Sequence, residues 1–205
     1  MGIYGEHVLP RLIHVACGGK ATHDRRRRVC AGLRGRVVEL GFGSGLNVPF
    51  YPPDVDAVVA IEPSDTAWRL AHRKIAHSPV DIERCGLDGA RLPLDDASCD
   101  TALSTWTLCT IPDVEAALAE VRRVLKPGGR FHFLDHGLAP DTDVDVQRWQ
   151  HRLEPIQKRL FGGCHLTRRV ADLVVGAGFE LIEAEEFYEP GAPKFMSADT
   201  IGIAG

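Results

Sequence analysis

Short runs of apolar, β-branched residues alternate along this chain with stretches whose apolar positions recur at helical spacing. From residue 36 onward that alternation is the pattern of a βαβ repeat, and so of a mainly parallel sheet with helices on both faces. It predicts strands over 36–41, 57–61, 99–104, 130–135, 179–187 and 196–203, with a weaker one near 81–85. Between them, Asp65–His77 carries Trp68, Leu70, Ala71 and Ile75 in one stripe. Val114–Leu125 repeats Ala117, Leu118, Val121 and Leu125 before Lys126-Pro127-Gly128-Gly129 stops it. Two more helices are expected over 144–160 and over Leu166–Ala177, the latter closing on Gly178. The first 35 residues read as two short helices split at Gly18-Gly19, outside the repeat and placed to act as a lid.

At 205 residues with 44% hydrophobic content, the chain can bury one full core. The expectation is a single domain over 1–205, with a lid (1–35), a core (36–137) and substrate-side elements (138–205). A net charge of −4 lacks the electrostatic footprint of a nucleic-acid binder, and Arg25 to Arg28 are expected to form a solvated helix face. Six cysteines without a CxxC pair, and no secretory leader, fit reduced thiols in a cytoplasmic protein. Cys109 and Cys164 read as small buried hydrophobes. His132, His136, Cys164 and His165 divide between a strand and a glycine-rich turn, so no metal site is expected. No apolar run reaches the roughly 18 residues of a membrane span, and Glu6 stands where a myristoylation signal wants Ser or Thr. No integral membrane association follows, and the sequence sets no oligomeric state.

The strand Val37-Val38-Glu39-Leu40 runs into Gly41-Phe42-Gly43-Ser44-Gly45, and the next strand ends at Glu62-Pro63. Alternating glycines let main chain approach a ligand closely, and a helix expected near Leu46-Asn47 would aim its N-terminus at the same space. The two oxygens of Glu62 suit two adjacent ribose hydroxyls, and Pro63 fixes the chain behind it. Leu46 replaces the third glycine of a dinucleotide fingerprint, which disfavours a pyrophosphate and with it a nicotinamide oxidoreductase. Asp88, followed by Gly89, is placed to accept from an adenine amino group.

These residues resemble the class I S-adenosylmethionine-dependent methyltransferases, in the small-molecule branch called type 11. The resemblance runs from Arg36 to Phe133. It joins Val38 to Gly45, Ile61-Glu62-Pro63, Asp88 with Leu92-Pro93-Leu94 and Ser98-Cys99-Asp100, and Val124 to Gly129 in the family's order. It implies a Rossmann-like class I methyltransferase fold with a seven-stranded, mainly parallel sheet and an N-terminal helical lid. It also implies S-adenosyl-L-methionine as cofactor and S-adenosyl-L-homocysteine as product. Glu39, Gly41, Gly43, Gly45, Glu62, Pro63, Asp88, Gly89, Thr105 and Trp106 would form the cofactor site. Thr107 to Asp113, Asp135-His136-Gly137 and Gln157 to Arg168 are similar to bacterial relatives of the alkyl thiol methyltransferases. That branch usually has Glu where Asp135 stands, and its eukaryotic members carry an N-terminal membrane anchor that this sequence does not show.

Methyl transfer to a small-molecule thiol or hydroxyl acceptor, by in-line displacement, is the implied reaction. Asp135, His136 and His165 are the catalytic candidates, with either histidine accepting the proton while Asp135 orients it. Competing expectations are a cofactor-binding regulatory module without turnover and a methyltransferase of a quinone-like or lipid-like acceptor. A nucleic-acid methyltransferase is disfavoured, since Ser104-Thr105-Trp106-Thr107 lacks the proline-rich motif of base amino-methylating enzymes.

Overall fold

A computed structural model describes residues 4–85 and 91–205. Asp88 and Gly89 lie outside the described residues. Among the described residues, seven strands form one sheet: β1 (Gly35–Leu40), β2 (Val55–Ile61), β3 (Asp81–Arg84), β4 (Cys99–Thr105), β5 (Leu125–His136), β6 (Leu181–Tyr188) and β7 (Ala198–Ala204). Their order is β3-β2-β1-β4-β5-β7-β6. The first five are mutually parallel, and β7 runs antiparallel to both neighbours. The winding direction reverses between β1 and β4, which makes the carboxyl ends of those strands the ligand crevice of such a sheet.

Among the described residues, seven α-helices accompany the sheet: α1 (Leu9–Cys17), α2 (His23–Cys30), α3 (Asp65–Ala76), α4 (Val114–Val124), α5 (Val144–Leu160), α6 (Val170–Gly176) and the single turn α7 (Lys194–Ser197). Successive strand residues point to opposite faces, and both faces are covered. Val38, Leu40, Val59, Ile61, Phe131 and Phe133 pack against α4 and α6 through Leu118, Val121 and Val174. Val37, Val58, Leu103 and Leu134 face α2 through Val29 and Cys30. The chain has the class I methyltransferase fold.

Three local expectations need correction. No α-helix begins near Leu46-Asn47; a single 3₁₀ turn, Val48–Phe50, stands there. Pro49, Pro52 and Pro53 withhold amide donors and push the preceding residues out of the α region. The last long helix begins at Val170 rather than Leu166, because Leu166 N–H is held by Glu154 and the Arg168 carbonyl by Leu138. Arg25 to Arg28 are not one solvated face. Arg26 is 4% exposed and turned inward, while Arg25 lies 4.0 Å over Phe187, and Arg27 and Arg28 pair with Asp24 and Glu185.

The split at Gly18-Gly19 is present, and α1 lies over the glycine turn. His14 Nδ1 is 2.6 Å from Ser44 Oγ, and His7 Nδ1 is 3.4 Å from Thr66 Oγ1 at the start of α3. Among the described residues, no helix is long and apolar enough to cross a membrane.

Candidate active site

The glycine turn and the end of β2 are built as one unit. Glu62 is 6% exposed and accepts from Gly43 N–H at 2.7 Å and from Ser64 N–H at 2.6 Å. Burial pushes its carboxyl above the ordinary range, opposed by those two amides and by Arg84. Each carboxylate oxygen has one of these amide donors and room for a further one, so the pair can still take two sugar hydroxyls. Pro63 passes the chain to Ser64, which caps α3 by accepting from Ala67 N–H at 3.1 Å. Gly41, Gly43 and Gly45 have φ of +67°, +59° and +68°, and each is glycine for its own spatial reason. A Cβ on Gly41 would overlap the Thr107 side chain, and one on Gly45 would press on Ala71, Phe42 and Val48. One on Gly43 would meet nothing nearer than 3.7 Å. That open cradle beside a carboxylate hook fits an adenosyl cofactor.

Glu39 stands behind the turn, 1% exposed, accepting from Asn47 Nδ2 at 2.9 Å and from the Tyr51 hydroxyl. Burial raises its pKa to about 7, against those two hydrogen bonds and the charge of Arg26. Arg26 donates to Asn47 Oδ1 at 2.6 Å, to Thr105 Oγ1 at 3.4 Å and to the Cys17 carbonyl at 3.2 Å, leaving its buried Nε without a partner. Its guanidinium lies 4.7 Å over Trp106. Trp106 holds a left-handed φ of +47°, a strained geometry for a bulky residue, and donates from Nε1 to Asp199 Oδ2 at 3.1 Å. Burial lifts Asp199 to about 7. Arg26 and Asp199 carry no sequence motif; they join the site only because α2 and β7 pack beside it.

On the acceptor side, the structure separates the three residues named from sequence. Asp135 is fully buried and accepts from the amides of Thr107 (2.6 Å), Leu108 (2.6 Å) and Cys109 (3.3 Å). It therefore orients the loop after β4 rather than a histidine. His136 Nε2 lies 2.5 Å from Cys164 Sγ. The hydrogen bond with Cys109 lowers the Cys164 thiol to about 5, with burial opposing and His136 assisting. Burial works against charge on His136, but Cys164, Asp135 and Asp199 outweigh it and hold the ring up to about 9. Cys164 is thus more than a small hydrophobe. His165 has a partner of its own: its Nδ1 is 3.0 Å from Glu154 Oε1, and Glu154 Oε2 accepts from Leu166 N–H. Burial, with Arg168 and Lys158, keeps the His165 ring below its ordinary pKa. His132 is remote from this group, with its Nδ1 2.9 Å from the Val29 carbonyl.

A glycine turn at the switch point, beside an acidic residue ending the neighbouring strand, defines an adenosyl-cofactor transferase of class I. The chain belongs to the S-adenosylmethionine-dependent methyltransferases: a family model described as "Methyltransferase domain" matches residues 38–133. It is 32% identical over 179 residues to the thiol S-methyltransferase TMT1A of Homo sapiens, covering 85% of this chain and 72% of that one. To the thiol S-methyltransferase TMT1B of Rattus norvegicus it is 33% identical over 163 residues, covering 78% of this chain and 65% of the other. A solved S-adenosylmethionine-dependent methyltransferase from Thermotoga maritima superposes with a TM-score of 0.69 over 98% of this chain and 97% of its own; at 23% identity that likeness is one of fold.

Proposed function

We propose that this methyltransferase transfers its methyl group to the sulfur of a small thiol. The Glu62–Gly43 unit carries the donor half of the proposal, and the two thiol S-methyltransferase relatives support the acceptor half. When bound, S-adenosylmethionine supplies a sulfonium methyl that is already electrophilic. The chain's task is then alignment, which can contribute on the order of 7 to 11 kcal/mol. Glu62 holds the ribose, and Gly41, Gly43 and Gly45 keep the turn clear of side chains. Glu39, through Asn47 and Tyr51, fixes the turn from behind. Thr105 and Trp106 wall the crevice. The resemblance assigns the adenine side to Asp88 and Gly89, which lie outside the described residues.

A thiol with a pKa of about 8.5 is only a few per cent ionised at neutral pH, so a proton acceptor helps. His165 is the better of the two histidines for this work. Glu154 fixes its Nδ1, leaving Nε2 as the acceptor of a neutral ring. His136, held protonated beside Cys164, is a poor base. Asp135 acts indirectly, by positioning the loop that carries Cys109.

The test is incubation with methyl-labelled cofactor and separate panels of thiols, phenols, quinols and amine lipids. Label in a thioether supports thiol transfer. Label only in a phenol, quinol or amine assigns another acceptor, and cofactor binding without transfer to any panel leaves a regulatory module.

A further inference from the structure

Cys109, His136 and Cys164 come from three separated parts of the chain: the loop after β4, the end of β5 and the turn after α5. Their donor atoms all lie within 4.8 Å of one another, in a buried position at the carboxyl end of the sheet. The backbone fixes this meeting. Asp135 holds the Cys109 amide, the His165 amide donates to the Cys109 carbonyl at 2.8 Å, and Gly162 and Gly163, at φ of +64° and +88°, turn Cys164 inward. Gln157 Nε2 is 3.8 Å from Cys164 Sγ, a supporting donor to that sulfur.

We propose that these three side chains bind one zinc(II) ion and that its fourth position takes the acceptor's thiol. Two sulfurs and an imidazole nitrogen are the donor set zinc prefers. Three protein ligands leave one exchangeable place, the arrangement of reactive rather than structural sites. A tetrahedral ion separates such donors by about 3.5 to 3.8 Å, so the 2.5 Å between His136 Nε2 and Cys164 Sγ must open by about 1 Å. The paired glycines before Cys164 permit that movement. As zinc enters, Cys109 and His136 release their protons to solvent, and the two thiolates and neutral ring then cancel the ion's charge.

The reactive role rests on the proposed thiol transfer. On coordination the acceptor R–SH gives its proton to His165. The zinc-held sulfur then forms a bond to the methyl carbon as the carbon–sulfonium bond breaks, with that electron pair staying on the cofactor sulfur. A neutral thioether R–S–CH₃ binds zinc weakly and leaves; the ion keeps its oxidation state throughout.

Reduced, chelator-stripped full-length protein titrated with Zn²⁺ against a competing chromophoric chelator should bind one equivalent. Cys109→Ser, His136→Ala and Cys164→Ser should each weaken this by at least about 100-fold, while Cys99→Ala, at the opposite end of β4, should not. Cobalt(II) in the wild-type protein should show thiolate-to-metal absorption that shifts when 2-mercaptoethanol is added. S-adenosylhomocysteine binding is measured by calorimetry on the same samples. Wild-type protein that binds zinc no better than a Cys109→Ser/Cys164→Ser double variant, yet binds S-adenosylhomocysteine, overturns the zinc site and leaves the methyltransferase intact. A cobalt spectrum indifferent to thiol overturns the open fourth position. Zinc binding without S-adenosylhomocysteine binding upholds the site and removes the reactive role.

Discussion

Glu62, the first residue past β2, accepts a hydrogen bond from the amide of Gly43, in the turn that follows β1. The acidic hook and the glycine turn thus move as one body. Substituting Glu62 with Ala should remove both the sugar contact and the restraint on the turn. Hydrogen bonds to charged groups contribute roughly 1.5 to 3 kcal/mol, so S-adenosylmethionine and S-adenosylhomocysteine should each bind about 10-fold to 100-fold more weakly. Calorimetry that shows unchanged binding of both removes Glu62 from the site.

Gly41 and Gly43 share a left-handed backbone but differ in what surrounds them. A left-handed alanine costs roughly 1–2 kcal/mol at either position. Gly41→Ala adds a steric collision with Thr107 and should lower the melting temperature well beyond that. Gly43→Ala should fold with the smaller loss yet bind cofactor poorly, because its methyl enters the cradle. Thermal melts and cofactor titrations on the pair check this; equal melting temperatures would contradict the packing argument.

Glu39 shapes the acid side of the stability curve. Burial raises its pKa from 4.5 to about 7, so between those values the folded chain holds a proton that the unfolded chain has released. This contribution is full below about pH 4.5 and is lost as pH rises to about 7. Urea unfolding from pH 4.5 to 8 should show a downward component across that window in the wild type and a flatter one in Glu39→Gln. Parallel curves would mean that Glu39 is ionised throughout.

His165 and Glu154 should act together. His165→Ala should lower kcat for an alkyl thiol by at least about tenfold near neutral pH, and the loss should close as pH approaches the thiol's own pKa of about 8.5. Glu154→Gln should give a smaller defect with the same pH trend, since it misorients the ring without removing it. A pH-independent defect in both variants would identify a purely structural pair.

What the chain's linear order determined is whatever depends on near neighbours. Val37 to Gly45, Val58 to Glu62, and the stripes of α3 and α4 each encode their element in local spacing, because backbone pairing and burial of a strand or helix face repeat over a few residues. The glycine turn and the acidic residue after β2 were legible for that reason. Tertiary structure decided everything that depends on which faces meet. Helical periodicity could not say which of Arg25 to Arg28 turns inward; the pocket formed by Asn47, Thr105 and Trp106 selects Arg26. Nor could spacing reveal that Asp135 is consumed by three loop amides, that Glu154 rather than Asp135 orients a histidine, or that Cys109, His136 and Cys164 converge. These contacts join distant segments through the sheet's crossovers, and their chemistry exists only once the core has brought the strand ends together.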